Sequence, residues 1–342
     1  MSSAAAGHVL EVRGLSVRMP TRAGMLHAVN GVDFSVARGR TLCLVGESGC
    51  GKSLTAFAVM GLLPKRAVRS AATLRFDAED LLRASPSRMS ALRGDRISMI
   101  FQDPMTALNP LFTIGTQIRD VLRQHRRVGR REAAELAIEL LARVGVPDPA
   151  GRLDQYPHQQ SGGLRQRIMI AMALICKPLL LIADEPTTAL DATVQAQLLE
   201  LLAELQSQSG TGMLFITHDL GVVANIADEV AVMYGGAIVE IGPAAEVLRR
   251  PQHPYTQALI ACLPRRGVTP RRSPLRTIPG SPPSLIGAAS GCAFRARCEH
   301  ARPACGREAG QALHSLSAAH QFRCLAPVGG ASALAPGLAG RR

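Results

Sequence analysis

The chain has 342 residues, 47% of them apolar and 19% charged, which is enough for one large globular core and a small appendage. No uncharged apolar run is long enough for a membrane-spanning helix, so any membrane role is peripheral. The net charge of +13 lies mostly in residues 265–342, with twelve Arg and two Glu, and the near-neutral remainder, with 3% aromatic residues overall, argues against a nucleic-acid partner.

The N-terminal stretch has neither a basic start nor a long apolar centre, so we expect no secretory signal and a location inside the cell. The eight cysteines are then expected to be reduced or metal-bound. Apolar and polar residues alternate over residues 9–36, which predicts a small antiparallel sheet beside the core.

Short apolar runs then alternate with helical patterns, which is typical of an α/β fold with a mainly parallel sheet. Predicted strands are 41–45, 97–100, 179–184, 213–217, 229–234 and 237–241, the last two forming a hairpin. Predicted helices are 52–62, 131–144, 163–175 and 192–206, the last with Asp191 as N-cap and an apolar face of Val194, Leu198, Leu201, Leu202 and Leu205. Two domains follow: residues 1–264 with an inserted helical subdomain at about 103–176, and an irregular cysteine-containing extension, 265–342.

A glycine-rich loop joins the strand 41–45 to the helix 52–62. It reads Gly46-Glu47-Ser48-Gly49-Cys50-Gly51-Lys52-Ser53, with Leu54 next in the helix. In such a loop, backbone N–H groups hold phosphate oxygens, Lys52 reaches the β- and γ-phosphates, and the Ser53 hydroxyl coordinates Mg²⁺. A strand-to-helix turn without a ligand is the alternative, but the strand, the loop, the Lys-Ser pair and the helix together predict an ATP site.

Two adjacent carboxylates end the apolar strand 179–184. Asp184 is expected to hold Mg²⁺, directly or through water, and Glu185 to polarise the attacking water as general base. Alone, such a pair would only cap the next helix. After a phosphate-binding loop, it predicts the acidic half of an ATP site.

Further residues follow the loop in the order found in ABC ATPases, and the chain resembles that family over about residues 8–262. They are Gln102, Ser161-Gly162-Gly163-Leu164-Arg165-Gln166, Asp184-Glu185, Ala189-Leu190-Asp191 and His218. The resemblance implies a P-loop NTPase fold, with a RecA-like core, an antiparallel β subdomain and an inserted helical subdomain. It also implies a head-to-tail dimer in which the P-loop of one subunit and the Ser-Gly-Gly signature of the other enclose each ATP.

The resemblance implies a role for each of these residues. The signature for the partner's ATP would consist of Ser161, Gly162, Gly163 and Gln166, with Ser161 and the N–H groups of the two glycines facing the γ-phosphate. Gln102 would sense Mg²⁺ and the attacking water, and His218 would contact the γ-phosphate and hold the transition-state geometry with Glu185. The D-loop would be Ala189, Leu190 and Asp191.

Two positions depart from the family pattern. Gln160 precedes the signature serine, where Leu is common, and no Phe, Tyr or Trp lies between Val9 and Asp33 to stack on adenine. We expect His27 or Leu26 to take the place of that ring.

Three segments resemble the dipeptide, oligopeptide and nickel uptake branch of the family, and the chain is most similar to D-type ATPase subunits of dipeptide permeases. The segments are residues 101–110, Tyr156-Pro157-His158-Gln159 and residues 253–259. This likeness implies a second, non-identical ATPase subunit, two integral membrane permease subunits, a periplasmic or lipid-anchored binding protein, and a place on the cytoplasmic face of the bacterial inner membrane. The solute stays open among dipeptides, longer peptides, nickel and others. The alternative class, soluble ABC ATPases that act on ribosomes or DNA, usually has two cassettes or a long coiled coil, and this chain has one cassette and no sustained heptads.

Four tail cysteines, Cys292, Cys298, Cys305 and Cys324, have the spacing C-x5-C-x6-C-x18-C, unlike the C-x2-C pairs of zinc ribbons. The tail resembles the C-terminal region of D-type peptide-permease ATPases, in which such cysteines can hold a 4Fe–4S cluster. Zinc in a distorted four-cysteine site and reduced, metal-free cysteines are the alternatives. The tail arginines would contact anionic lipid headgroups or keep the segment solvated.

Overall fold

The computed structural model describes residues 7–187, 191–263, 276–287, 290–307 and 313–328. Its strands are β1 (His8–Thr21), β2 (Gly24–Ala37), β3 (Thr41–Val45), β4 (Val68–Ser70), β5 (Thr73–Phe76), β6 (Glu79–Asp80), β7 (Ile97–Ile100), β8 (Leu180–Asp184), β9 (Gly212–Thr217), β10 (Glu229–Tyr234), β11 (Ala237–Pro243), β12 (His314–Ser315) and β13 (Gln321–Phe322). Its α-helices are α1 (Lys52–Met60), α2 (Pro86–Leu92), α3 (Pro104–Ala107), α4 (Ile114–His125), α5 (Arg130–Arg143), α6 (Pro149–Arg152), α7 (Gly162–Leu174), α8 (Ala192–Ser209), α9 (Leu220–Ile226), α10 (Ala244–Arg249) and α11 (Pro254–Ala261). Three short 3-10 helices cover Pro157–Gln159, Arg295–Arg297 and Pro303–Gly306. None of the helices in this described part is both long and apolar enough to cross a membrane.

The core strands begin and end close to their predicted positions, but the packed face of α8 differs from the prediction. Leu199 is buried together with Leu198, Leu202 and Leu205, whereas Leu201 is only half-buried. The buried stripe is therefore turned toward Leu199, because packing, rather than the sequence period alone, sets which edge of a broad apolar face is covered.

The chain divides into two compact units. Unit 1 consists of Met1–Val9, Val36–Arg40 and Arg83–Phe215. Unit 2 consists of Leu10–Ser35, Thr41–Leu82 and Ile216–Arg342. The predicted domain boundary at residue 264 adjoins residues outside the described part of the chain and stays a prediction.

Unit 1 combines buried parallel strands with a group of helices. Strands β7 and β8 pair in parallel, and every residue of both is buried, as expected of apolar strands covered on two faces. Helices α3 to α7 lie between these strands in the sequence, where the inserted helical subdomain is predicted. A small apolar cluster joins α4, α5 and the segment that follows α7, through the buried residues Leu122, Ala133 and Cys176.

Unit 2 contains an antiparallel sheet with the strand order β2-β1-β5-β6, and β4 also pairs with β1. Buried and exposed residues alternate along β1 and β2, in agreement with the predicted half-buried sheet. Strand β3 pairs in parallel with β10, which forms an antiparallel hairpin with β11. The turn of this hairpin is Gly235-Gly236, with φ angles of 58° and 81° that glycine adopts without steric cost.

The described part of the C-terminal extension is built into unit 2. Strand β13 pairs with β11, and the backbone N–H of His27 in β2 donates to the carbonyl oxygen of Leu285 at 2.8 Å. The fully buried carboxylate of Glu240 forms a 2.8 Å hydrogen bond with Nε2 of His320, which is also fully buried. Because these contacts involve main chain and buried charge, the extension is a structural part of this unit rather than a loose tail.

Candidate nucleotide-binding site

The predicted P-loop connects β3 to α1. At two of its glycines, the backbone of another segment lies so close that there is no room for a side chain. A Cβ atom on Gly46 would lie 2.2 Å from the carbonyl oxygen of Met233, and one on Gly51 would lie 2.4 Å from that of Ala28. Gly51 also has a φ of 108°, which side-chain-bearing residues rarely adopt. The loop therefore passes directly to the N-terminus of α1 at Lys52, where backbone N–H groups and the helix dipole favour an anion.

Lys52 lies inside the loop. Its side chain is 4% exposed, and Nζ donates to the carbonyl oxygens of Gly46 at 2.8 Å and Glu47 at 3.0 Å. The ammonium group thus occupies the concave side of the loop, where a phosphate is expected. Burial raises the pKa of the neighbouring Cys50 thiol, although the charge of Lys52 opposes this, so Cys50 is a packed thiol rather than a reactive one.

The acidic pair lies at the C-terminal end of β8 in unit 1. Asp184 is 2% exposed, and the backbone of Glu185 has a φ of 47°, in the left-handed region that non-glycine residues seldom occupy. Such strain of about 1–3 kcal/mol is found mainly at functional sites. Nε2 of Gln102 donates to Oε2 of Glu185 at 3.2 Å, so the fold brings together two of the predicted catalytic residues.

The predicted signature begins helix α7. Ser161 is exposed and is the N-cap of the helix, where Oγ accepts a hydrogen bond from the N–H of Leu164 at 3.4 Å. The two glycines that follow present the first N–H groups of the helix, which have no partner within the helix. Gln166 is buried, and its side-chain amide donates to the carbonyl oxygen of Pro186, directly after Glu185. The signature helix and the loop after the acidic pair are thus connected.

Gln160, which replaces the leucine common in the family, is also buried. Its Oε1 accepts from Arg152 at 3.1 Å, and its Nε2 donates to Oε1 of Gln155 at 2.7 Å. These hydrogen bonds satisfy the buried amide, so a polar side chain is tolerated directly before the signature serine.

The remaining predicted site residues are placed at the ends of core elements. Asp191 is the N-cap of α8, and Oδ1 accepts from the N–H groups of Thr193 at 3.0 Å and Val194 at 2.9 Å. His218 is exposed directly after β9 in unit 2. Two predicted D-loop residues lie outside the described residues: Ala189 and Leu190.

Sequence reasoning did not identify two residues that hold the P-loop. The backbone N–H of Glu47 donates to the hydroxyl oxygen of Tyr255 at 2.9 Å. The Glu47 carboxylate accepts two hydrogen bonds from the guanidinium of Arg297, at 2.6 and 2.9 Å. Tyr255 belongs to a segment singled out for its family resemblance, but Arg297 was one of twelve undifferentiated tail arginines.

The residues expected to contact adenine lie at the edge of β2. Leu26 and His27 are half-buried, and Leu26 forms an antiparallel bridge with Ile286. The N–H of Gly287 donates to the carbonyl oxygen of Met25 at 2.8 Å. The extension therefore covers this strand edge, and the adenine contact stays a prediction.

The four tail cysteines line one small cavity: Cys292, Cys298, Cys305 and Cys324. Backbone N–H groups point at two of the sulfurs, from Arg302 to Sγ of Cys305 at 3.4 Å and from Ala326 to Sγ of Cys324 at 3.3 Å. Burial raises the pKa of Cys324 to about 11. Within the described residues, no group of three or more His, Cys, Asp or Glu could hold a metal ion. The fold brings the four cysteines to one cavity, but it does not show the predicted metal-ligating group. Burial without a cation favours the neutral thiol over the thiolate that binds a metal.

Comparison with known proteins gives the family. Residues 29–188 match the family described as ABC transporter, and residues 239–305 match the oligopeptide/dipeptide transporter, C-terminal region. A peptide import ATP-binding protein of Brucella melitensis is 51% identical over 332 residues, which cover 93% of this chain and 96% of the relative. The chain belongs to the ABC transporter ATP-binding family. Within this family, the dipeptide transport ATP-binding protein DppD of Bacillus subtilis is 48% identical over 318 residues, covering 92% of this chain and 94% of the relative.

Solved structures of ABC cassettes share the fold. The dimeric cassette MJ0796 bound to ADP and Pi matches with a TM-score of 0.63 at 23% identity, over 69% of this chain and 98% of that one. CbiO1 of Clostridium perfringens, part of an ABC transporter complex, matches with a TM-score of 0.58 at 26% identity, over 70% and 90%. These likenesses confirm the predicted α/β cassette, and membership of the family confirms the predicted ATPase class.

Proposed function

We propose that this chain binds ATP and hydrolyses it to power the import of peptides through membrane permease subunits. The observation that carries the proposal is the geometry of Glu185, which ends a buried strand in a strained conformation and accepts a hydrogen bond from Gln102. This arrangement suits a general base that is held ready for the attacking water. The match of residues 239–305 to the C-terminal region of oligopeptide and dipeptide transporters supports a peptide as the cargo.

The site residues would divide the work of hydrolysis. The P-loop and Lys52 bind the triphosphate, Glu185 draws the proton from water, and His218 holds the γ-phosphate. The residues that would hold Mg²⁺ are Ser53, Gln102 and Asp184, whose oxygen donors are those that Mg²⁺ prefers. When bound, Mg²⁺ supplies charge neutralisation for the phosphate oxygens.

Each ATP would be enclosed by a second ATPase subunit that is not identical to this chain. The signature contributed to the partner's nucleotide consists of Ser161, Gly162, Gly163 and Gln166, flanked by the D-loop of Ala189, Leu190 and Asp191. The support for this arrangement is that Ser161 is exposed at the N-terminus of α7, where an anion from another subunit has access.

Exposed apolar side chains in unit 1 support docking to a permease. Four large side chains between Gln102 and Ser161 are well exposed: Met105 (54%), Leu111 (79%), Phe112 (50%) and Tyr156 (38%). A short cytoplasmic helix of a permease subunit would cover these side chains and remove their apolar surface from water. The complex would comprise two such permease subunits and a periplasmic or lipid-anchored binding protein, with this chain on the cytoplasmic face of the bacterial inner membrane.

Reconstitution tests the transport function. The chain would be purified with candidate permease subunits, incorporated into vesicles, and supplied with ATP, binding protein and either dipeptides, longer peptides or Ni²⁺. We expect ATP hydrolysis and uptake to rise with a peptide. Stimulation by Ni²⁺ alone, or no association with any integral membrane subunit, would contradict the proposal.

We also propose that the four-cysteine cavity holds a 4Fe–4S cluster, with zinc as the alternative occupant. The support is the donor set, since four cysteines from separate turns face one cavity and two of their sulfurs accept backbone N–H groups, as cluster sulfurs do. A bound cluster would cross-link the four cysteines. Because it binds thiolates, these thiols would be deprotonated only when the cluster is present.

Metal analysis of anaerobically purified protein tests this assignment. We expect about four Fe per chain and broad visible absorption in the wild type, and loss of both in Cys298→Ser. Cys262→Ser is the matched control, because Cys262 does not line the cavity and should leave the iron content unchanged. One Zn per chain would select the alternative, and four titratable thiols without metal would reject both.

A further inference from the structure

Arg297, in the described part of the extension, has every side-chain donor bonded. Its side chain is 5% exposed, and all five of its N–H donors have acceptors. Nη1 and Nη2 contact the two carboxylate oxygens of Glu47 at 2.6 and 2.9 Å. The other three acceptors are the Tyr234 hydroxyl at 3.2 Å and the carbonyl oxygens of Ile278 at 3.1 Å and Pro279 at 2.8 Å. A fully satisfied, buried guanidinium of this kind is fixed in one position.

Aromatic rings lie beside the Arg297 guanidinium and help to fix its position. Phe294, three residues earlier, contacts the ring of Tyr234 edge-on with a centroid distance of 5.2 Å and that of Tyr255 at 5.3 Å. The guanidinium carbon lies 5.9 Å from the ring centroids of both Tyr234 and Phe294. Since Tyr255 also accepts the N–H of Glu47, the same cluster holds this residue through its main chain and its carboxylate.

Glu47 is a P-loop residue whose main chain faces the phosphate site. Its carbonyl oxygen accepts from Nζ of Lys52, the group expected to reach the β- and γ-phosphates. A carboxylate at this position would repel a triphosphate unless its charge is neutralised. The paired guanidinium removes the repulsion and fixes the loop before ATP arrives.

We infer that Arg297 is a positioning residue for the ATP site, which neutralises Glu47 and holds the P-loop in its phosphate-binding conformation. The inference rests on the proposed function, because it assigns to the C-terminal extension a part in nucleotide affinity. Arg297 does not touch the nucleotide; it acts through Glu47.

Equilibrium titration of the full chain with a fluorescent, non-hydrolysable ATP analogue in the presence of Mg²⁺ tests the inference. Arg297→Gln should raise Kd about tenfold, the loss expected for a charged hydrogen-bonded pair, while the number of sites per chain stays at the wild-type value. The double variant Glu47→Gln with Arg297→Gln should recover most of the affinity, because the unpaired carboxylate is gone. Arg295→Gln is the matched control. This arginine is exposed on the same 3-10 helix, and its side chain donates a hydrogen bond to the Ser290 carbonyl oxygen rather than to the P-loop.

Three outcomes would overturn the inference. The first is a Kd of Arg297→Gln within twofold of the wild-type value. The second is an unchanged Kd with fewer sites per chain, which is the signature of a merely structural role. The third is a double variant that binds the analogue more weakly than either single variant.

If Arg297→Gln folds poorly, Arg297→Lys keeps the charge and should show an intermediate Kd; a wild-type Kd in that case counts against the bidentate contact. A wild-type chain that binds no nucleotide would overturn the proposed function, and this inference with it.

Discussion

The P-loop and the acidic pair are held in place by different means. Asp184 and Glu185 end a buried strand, whose position is set by the backbone ladder with its parallel neighbour. The P-loop instead follows its strand as a glycine-rich turn, and its one acidic residue is held by Tyr255 and Arg297, which lie 208 and 250 positions further along the chain. The position of the two carboxylates therefore depends on the sheet, whereas the position of the P-loop glutamate depends on side chains that are distant in the sequence.

The same contacts give the C-terminal extension a structural role beside the P-loop. Its described residues supply a strand partner for β11, a bridge to β2 and a charge partner for the P-loop. A region that contributes a partly buried ion pair to the P-loop is part of the structure that holds this loop. We therefore expect perturbations of the extension to change nucleotide affinity, and perturbations of the strand end to change the chemical step.

The largest expected effect is that of Glu185→Gln. Removal of the general base should lower ATP turnover by about 10²- to 10⁴-fold, with nucleotide Kd within about twofold of the wild-type value, since the amide cannot accept the proton from water. Steady-state hydrolysis and the fluorescent titration measure the two quantities separately. Glu200→Gln on the exposed side of α8 is the control and should turn over ATP normally. Undiminished turnover in Glu185→Gln would place the base elsewhere.

A smaller effect is expected from alanine in the P-loop. Gly51→Ala should lower the free energy of unfolding by about 3 kcal/mol, because the new Cβ would meet the Ala28 carbonyl oxygen at a backbone φ of 108°. Gly49→Ala is the matched control: it also has a positive φ, of 79°, but open space around it, and should cost about 1 kcal/mol. Urea unfolding without nucleotide gives both values. Equal losses would show that the close approach at Gly51 carries no cost.

The third effect concerns pH and the Tyr255 anchor. His253 is 1% exposed and is the N-cap of α11, where Nδ1 accepts from the N–H of Tyr255 at 3.0 Å. Burial lowers the pKa of His253 to about 3, against about 6.5 in an unfolded chain. The unfolded chain therefore takes up the proton first. The contribution of His253 is fully present above about pH 6.5 and is lost as the pH falls toward 3, by at most about 1.4 kcal/mol per pH unit.

Urea unfolding at pH 7.5 and pH 5.0 measures this contribution. Between these two values the wild type should lose about 2 kcal/mol more than His253→Asn, which keeps a capping acceptor but does not titrate. His8→Gln, at an exposed histidine, should behave as the wild type does. A His253→Asn variant with the full wild-type pH dependence would exclude His253 as the source.

The P-loop and the acidic strand end were predictable because their residues are contiguous and the flanking strand and helix have clear patterns. Gln102 and Glu185 are 83 positions apart, and only the order of family motifs placed them in one site, where the structure has them 3.2 Å apart. The four cysteines were likewise expected to form one site, and they line one cavity, whereas the 4Fe–4S cluster that the family resemblance implies there stays a prediction.

The contacts of Arg297 and Tyr255 were not predictable from the sequence. Composition treats all twelve tail arginines alike, and no periodicity connects the tail to a loop 250 residues earlier. Among the tail arginines that the structure describes, the low exposure of Arg297 distinguishes it, and that burial is set by tertiary packing around Phe294. The same cause explains Leu199, since the edge of the buried face of α8 depends on what packs against it.

The dependence of ATP hydrolysis on ATP concentration in Arg297→Gln tests the central claim most directly. If the extension sets phosphate binding while the sheet sets the chemistry, KM should rise about tenfold and kcat should stay near the wild-type value. A fall in kcat at unchanged KM would contradict the account, because it would mean that the extension acts on the chemical step rather than on the P-loop.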